Sequence, residues 1–197
     1  MFKPNRLILK LIFSDFFLHG GWGIILPVFA VFIVDDISGG SLETVGVAVA
    51  VYWITKSVVQ PFFAHHMDMV IGEEDDVSYL HRGMIITTLV PLFYILATSI
   101  WHVFLLEAIR GIGMAMVIPA WFGMFTRHID KDWEAYTWSL QSTAIGFIYG
   151  FAALLGGIMA AAVGFKAIFF FVFLFKFIGT MALFSVKKEA IIKRNVD

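Results

Sequence analysis

The stretch EAIRGIGMAMVIPAWFGMFTRHID, residues 107–130, decides the fold. It is long and apolar enough for a helix that crosses a bilayer, yet Glu107 and Arg110 stand three residues apart inside it, on one helical face. Charge in hydrocarbon is costly, so that face must look into protein or water rather than lipid. Gly111 and Gly113 then thin the helix where another helix can approach, Pro119 interrupts the backbone ladder, and Arg127 and His128 close it with a basic cap. Such a helix is expected to line an interior.

The rest of the chain is of the same kind. Of its 197 residues 60% are hydrophobic and 15% charged, with a mean hydropathy of +0.87, a balance that soluble domains of this size do not usually reach. The expectation is an all-α integral membrane protein whose first partner is membrane lipid. A net charge of −1 gives no basis for binding nucleic acid, and the absence of cysteine removes disulfides and thiolate metal sites. His65-His66-x-Asp68 has the spacing of a metal site at a helix end. However, no H-E-x-x-H, G-x-S-x-G or phosphate-cradling loop accompanies it, so no metal, cofactor or enzymatic activity is expected.

Six spans are expected along the chain: residues 7–34, 42–64, 82–98, 101–125, 137–163 and 167–186. Residues 65–81 read as a polar loop rich in carboxylates, Gly164 to Lys166 as a turn, and residues 187–197 as a tail too charged to continue the last span. The whole is expected to form one six-helix transmembrane domain. Basic residues set its orientation. With the N-terminus inside, the inner segments hold Lys3, Arg6, Lys10, Arg82, Arg127, Lys131, Lys187, Lys188, Lys193 and Arg194, against Lys166 alone outside. Both termini are therefore expected in the cytosol of a cell (inner or plasma) membrane protein.

The halves also echo one another. Gly21-Trp22-Gly23 followed by Pro27 in the first span parallels Gly111-Ile112-Gly113 followed by Pro119 in the fourth. Residues 7–98 and 101–186 then read as two three-helix repeats, and an odd number of spans per repeat would invert the second relative to the first.

At this point the chain resembles the N-terminal six-helix half of a major facilitator superfamily transporter. The likeness rests on GIGMAMVIPAWFGMFTRHIDK at 111–131, on DWEAYTWSLQSTAIG at 132–146, and on GGIMAAAVGFKAIFF at 156–170, where Phe165 and Lys166 replace the Trp and Arg of the family's G-W-R-x-x-F. The resemblance implies a three-plus-three fold and a secondary transporter that moves a small solute between two six-helix halves. The second half would be a second copy of the chain or another six-helix half. It also implies a cytosolic gate after the second span, of which Asp68 survives while Met69 and EEDD stand where basic residues belong. In the fourth span Glu107 takes the Arg position of the family's R-x-x-Q-G, and Arg110 its Gln position. The antiporter motif G-P-x-x-G-G is reduced to Ala-Ala-Leu-Leu before Gly156 and Gly157. These departures sustain an alternative: a membrane binding or scaffold protein that kept the fold and lost transport.

The candidate pathway residues are the ionisable groups within the spans. Asp15 and His19 share a face of the first helix, about 12 and 18 Å in from Leu7 at 1.5 Å per residue. Lys56, between Tyr52 and Gln60, is placed at similar depth on the second helix, where an Asp15–Lys56 pair is geometrically open. Glu107 and Arg110 either neutralise each other or contact the solute, a role the resemblance favours for Arg110. Lys176, in FFFVFLFKF, stands about 16 Å from Lys187 and lacks an evident partner. Gly146, Gly150, Gly156 and Gly157 are expected to form a helix-packing face.

Overall fold

The computed structural model describes residues 5–69 and 74–184. The expectations placed on Lys3, Glu73 and residues 185–197 therefore lie outside the described residues. The described chain is all helix: α1 (Arg6–Ile25), α2 (Phe29–Asp36), α3 (Leu42–Met69), α4 (Glu74–Tyr94), α5 (Ile100–Arg127) and α6 (Glu134–Phe184). Four of these, α1, α3, α5 and α6, are long and apolar enough to cross a membrane.

Local chemistry explains where the helices begin and bend. The Asn5 side chain accepts the Leu7 N–H at 3.0 Å and caps α1, and Ser41 Oγ accepts the Thr44 N–H at 3.2 Å at the start of α3. The first apolar run, expected as one helix over 7–34, breaks into α1 and α2 around Pro27. By contrast Pro61, Pro91 and Pro119 lie inside helices that run on past them. The polar loop expected over 65–81 is largely helical, because α3 continues to Met69 and α4 already starts at Glu74. Glu74, Asp75 and Asp76 occupy the first turn of α4, where the helix dipole favours negative charge.

Helix α6 has 51 residues, which as a straight rod would reach about 77 Å, more than twice the roughly 30 Å of bilayer hydrocarbon. It is not straight. Gly164 leaves helical geometry at φ 75° and ψ 170°, a conformation open to a residue without Cβ. Ile148 and Phe175, which a continuous helix would separate by about 40 Å, both touch Gly20 of α1. The helix thus doubles back at Gly164 into two arms, 134–163 and 165–184, with α1 against both.

The pattern of contacts is orderly. Helix α1 packs on the arms of α6, α5 packs on α3 and α4, and α4 meets the second arm of α6. That last contact includes a hydroxyl pair, Thr88 Oγ1 to Thr180 Oγ1, at 2.8 Å. Glycines set the closest approaches. Gly111 lies under the Tyr52 carbonyl, Gly113 against Thr87 and Ile86, Gly179 against Phe17, and Gly21 against the stem of Lys176. Two apolar clusters result. One gathers Leu7, Leu11, Met124 and Phe125 near one end, the other Phe29, Phe32, Tyr94 and Phe169 near the opposite end. Large apolar side chains such as Phe62, Leu105, Phe147 and Ile158 stay exposed around the outside, as lipid-facing positions do.

Candidate functional site

Between the two apolar clusters lies a layer of ionisable side chains, and it borders a cavity of about 290 Å³. Helix α1 contributes His19 and Trp22, α3 contributes Tyr52, Trp53 and Lys56, α5 contributes Arg110 and Met114, and the arms of α6 contribute Tyr149 and Lys176. Each candidate of the spans except Asp15 and Glu107 reaches this lining, and those two stand directly behind it as partners of His19 and Arg110.

Glu107 is fully buried and every strong partner it has is charged or phenolic. Arg110 donates Nε to Glu107 Oε1 at 3.0 Å and Nη2 to Oε2, and the Tyr94 hydroxyl donates to Oε1 at 2.8 Å. The guanidinium carbon lies 3.6 Å from the Trp22 ring centre and 3.5 Å from that of Tyr52, so two aromatic faces enclose the cation. The i, i+3 pair is a complete neutral unit with aromatic walls, and its guanidinium edge borders the cavity.

Asp15 is held differently. His19 Nδ1 sits 2.9 Å from its Oδ1, and Gln141 Nε2 of the first arm donates to its Oδ2 at 2.8 Å. The carboxylate side chain is 6% exposed but the imidazole is 30% exposed, so the acid reaches the cavity through the histidine. With Nδ1 committed to Asp15, exchange with the cavity falls to Nε2.

The pairing of Asp15 with Lys56 does not form. Lys56 turns to aromatic rings, its Nζ 4.0 Å from the Trp53 ring centre and 6.0 Å from that of Tyr52. Depth along a helix fixes height and not azimuth, and each side chain has other partners. Lys176 is buried and donates to the Thr87 carbonyl of α4 at 2.5 Å, a partner that sequence reading did not name.

The glycine face is corrected as well. A Cβ at Gly156 would strike the carbonyl of Ile24, but at Gly146, Gly150 or Gly157 it would meet nothing within 4 Å. Of the four, Gly156 alone packs against other described residues. The others lie on the outward side of the first arm.

Asp68, expected at a cytosolic gate, is exposed on the last turn of α3. A buried carboxylate at that end, Asp76, pairs with Arg127 across α4 and α5. Nearby, His81 Nε2 lies 3.0 Å from the Leu183 carbonyl. Gln141, Tyr94, Trp22 and Asp76 are thus the participants that sequence reading missed. Only Gln141, an amide in an apolar helix, carried a signal of its own.

Comparisons with known proteins give a family to this architecture. A family model described as Major Facilitator Superfamily matches residues 11–195, and the chain belongs to that family. It is an integral membrane protein of a transporter family. A comparison of the sequence with curated proteins gives no match. Among solved structures it is similar to a peptide transporter POT in complex with sulfate, at 14% identity and a TM-score of 0.78, over 94% of this chain and 38% of that one. It is also similar to the POT family transporter PepTSo, at 15% identity and a TM-score of 0.76, over 99% of this chain and 40% of that one. A POT complex with alafosfalin aligns at 15% identity and a TM-score of 0.74, over 93% of this chain and 38% of that one. At such identities the likeness speaks for the fold alone. The chain spans about two fifths of the length of these transporters.

Proposed function

We propose that the chain is one six-helix half of a secondary transporter that moves a small solute through the central cavity. The carrying observation is the layer of ionisable side chains, held by four helices at mid-height in otherwise apolar spans and bordering a cavity. Such groups are costly in a membrane and usually mark a substrate or ion path.

In this reading α1 with α2 forms the first span, α3, α4 and α5 the next three, and the arms of α6 the last two, all in a single domain. The contact pattern supports a three-plus-three inverted repeat. Exchanging the first span for the fourth, the second for the fifth and the third for the sixth converts α1 on the arms of α6 into α5 on α3 and α4. Orientation follows the basic residues. The end that holds Arg6, Arg82, Arg127 and Lys131 faces the cytosol of a cell membrane, and the end with Lys166 faces out. Asp15 and His19 form the proton path, Arg110 with Glu107 its counter-charged wall, and Asp76–Arg127 with Asp68 the cytosolic gate. The second wall of the pathway comes from another six-helix half, a second copy in the simplest assembly. The open glycines Gly146 and Gly150 leave room on the first arm for that approach.

Flux decides the proposal. Protein reconstituted into liposomes with a pH-sensitive dye inside is expected to couple proton movement to an imposed gradient of small solutes. A reconstituted protein that moves neither solute nor proton under any gradient would turn the assignment to a non-transporting scaffold, as the lost basic residues of the gate motif would then suggest.

A further inference from the structure

Charge around the cavity is balanced unevenly. Both carboxylates of the polar layer are already occupied: Glu107 by Arg110 and Tyr94, and Asp15 by His19 and Gln141. Both lysines that line the cavity lack a carboxylate, since no ion pair of Lys56 or Lys176 forms among the described residues. Lys56 rests over Trp53, and Lys176 holds only a backbone carbonyl. The remainder of the lining is aromatic or apolar, including Trp22, Phe29 and Tyr149.

We infer that the cavity takes a small organic anion, a carboxylate or similar oxyanion on an apolar or aromatic body. Lys56 supplies the counter-charge, and Lys176 lines the same cavity as a second amine donor. This rests on the transport reading for its purpose, but the binding chemistry stands by itself. An isolated ammonium ion in a low-dielectric site attracts an anion far more strongly than it does in water. Lys56 is half-buried and held by rings alone, so an entering carboxylate gains an ion pair without first breaking one. Lys176 is buried behind Gly21, whose missing Cβ admits the lysine stem to the cavity wall. A zwitterion or cation fits poorly. Both carboxylates stand behind the lining, Asp15 covered by His19 and Glu107 by Arg110, so neither offers an ammonium group a direct place in the cavity. The aromatic lining adds shape and apolar contact for the body of the ligand.

The test uses the whole chain in nanodiscs and reads tryptophan fluorescence together with thermal midpoint. The probes are benzoate and hydrocinnamate, each beside its neutral amide and the matching amine. The expected result is saturable binding of the carboxylates at least tenfold tighter than of the amides or amines. Lys56→Gln should erase most of that preference, and Lys56→Arg should retain it. Lys176→Met should weaken both carboxylates while leaving the amides where they were. Equal affinity for acid, amide and amine overturns the inference, as does an acid preference that survives Lys56→Gln, or no carboxylate binding up to millimolar concentration. Charge-selective binding without flux in liposomes upholds the anion site and removes the transport reading, so the two fail separately.

Discussion

Two acid clusters border the same cavity, and they are built to different ends. On α5, Glu107 and Arg110 close on each other. Tyr94 adds a second bond to Oε1, and the side chains are 0% and 9% exposed. On α1, Asp15 is bonded by a histidine that is itself 30% exposed and by the Gln141 amide. The first cluster keeps its carboxylate wholly inside protein, and what it presents to the cavity is the edge of a guanidinium clamped between Trp22 and Tyr52, a group that does not exchange its proton. The second passes its hydrogen-bond chain to a side chain that touches the cavity. Spacing of i, i+3 or i, i+4 brings an acid and a base together in both, so spacing does not separate a structural pair from a working one. What separates them is the partner each acid passes its contact to: a guanidinium only 9% exposed that stays charged, or an imidazole 30% exposed with a second ring nitrogen able to exchange a proton.

The sharpest break of this comparison is at Arg110. Removing it leaves Glu107 buried with only the Tyr94 hydroxyl, and leaves Trp22 and Tyr52 facing a void. Breaking a buried pair on one side costs about 3–5 kcal/mol in soluble proteins, and Arg110→Ala is expected to fall in that range. Thermal unfolding in a mild detergent measures it. The double change Glu107→Gln with Arg110→Met removes both charges and should recover a large part of the loss. A double variant as unstable as Arg110→Ala would show that the pair contributes more than mutual neutralisation.

A second contrast lies within one arm of α6. Gly156 is pressed against the Ile24 carbonyl, whereas Gly150, six residues earlier, faces open space. Gly156→Ala should cost about 1–3 kcal/mol through overpacking against backbone that cannot move aside cheaply. Gly150→Leu should leave the stability of the single chain within about 0.5 kcal/mol, the usual range for a surface change. If two halves meet across that arm, Gly150→Leu should instead shift the oligomeric state, read by native mass spectrometry from nanodiscs. Equal thermal shifts from the two substitutions would refute the distinction.

Much of the architecture was legible in residues 107–130 and in the glycines that surround them. A charged face inside an apolar helix requires an interior, and the turn expected at Gly164 to Lys166 coincides with the positive-φ residue at which α6 doubles back. The ends of helices were less legible. Carboxylates at 74–76 suggested a loop, although the first turn of a helix is where negative charge is favoured, and α4 begins there. Partners were least legible, because they depend on azimuth and on residues far along the chain. Gln141 lies 126 positions from Asp15 and Thr87 lies 89 from Lys176, separations that no local pattern encodes. The same limit misplaced the glycine face, since small size tells that a helix can be approached and not from which side.

A small change in stability is expected where the change in function is largest. Asp15→Asn keeps the volume of the side chain and one acceptor oxygen for His19 Nδ1, which now meets the amide at the 2.9 Å separation of the native pair. Its new amide nitrogen would face Gln141 Nε2, donor against donor. Rotating the Gln141 side-chain amide by half a turn presents its oxygen instead and restores the bond at 2.8 Å. The exchange replaces charge-assisted hydrogen bonds with neutral ones and should cost about 1 kcal/mol. It also removes the only negative charge bonded to His19, so a proton arriving at the imidazole from the cavity no longer meets a stabilising counter-ion. Proton-coupled movement in dye-loaded liposomes should therefore vanish while the thermal midpoint hardly moves. The corresponding Glu107→Gln change should do the reverse, lowering the midpoint strongly. Undiminished proton movement in Asp15→Asn would place the proton path elsewhere and erase the difference in role between the two clusters.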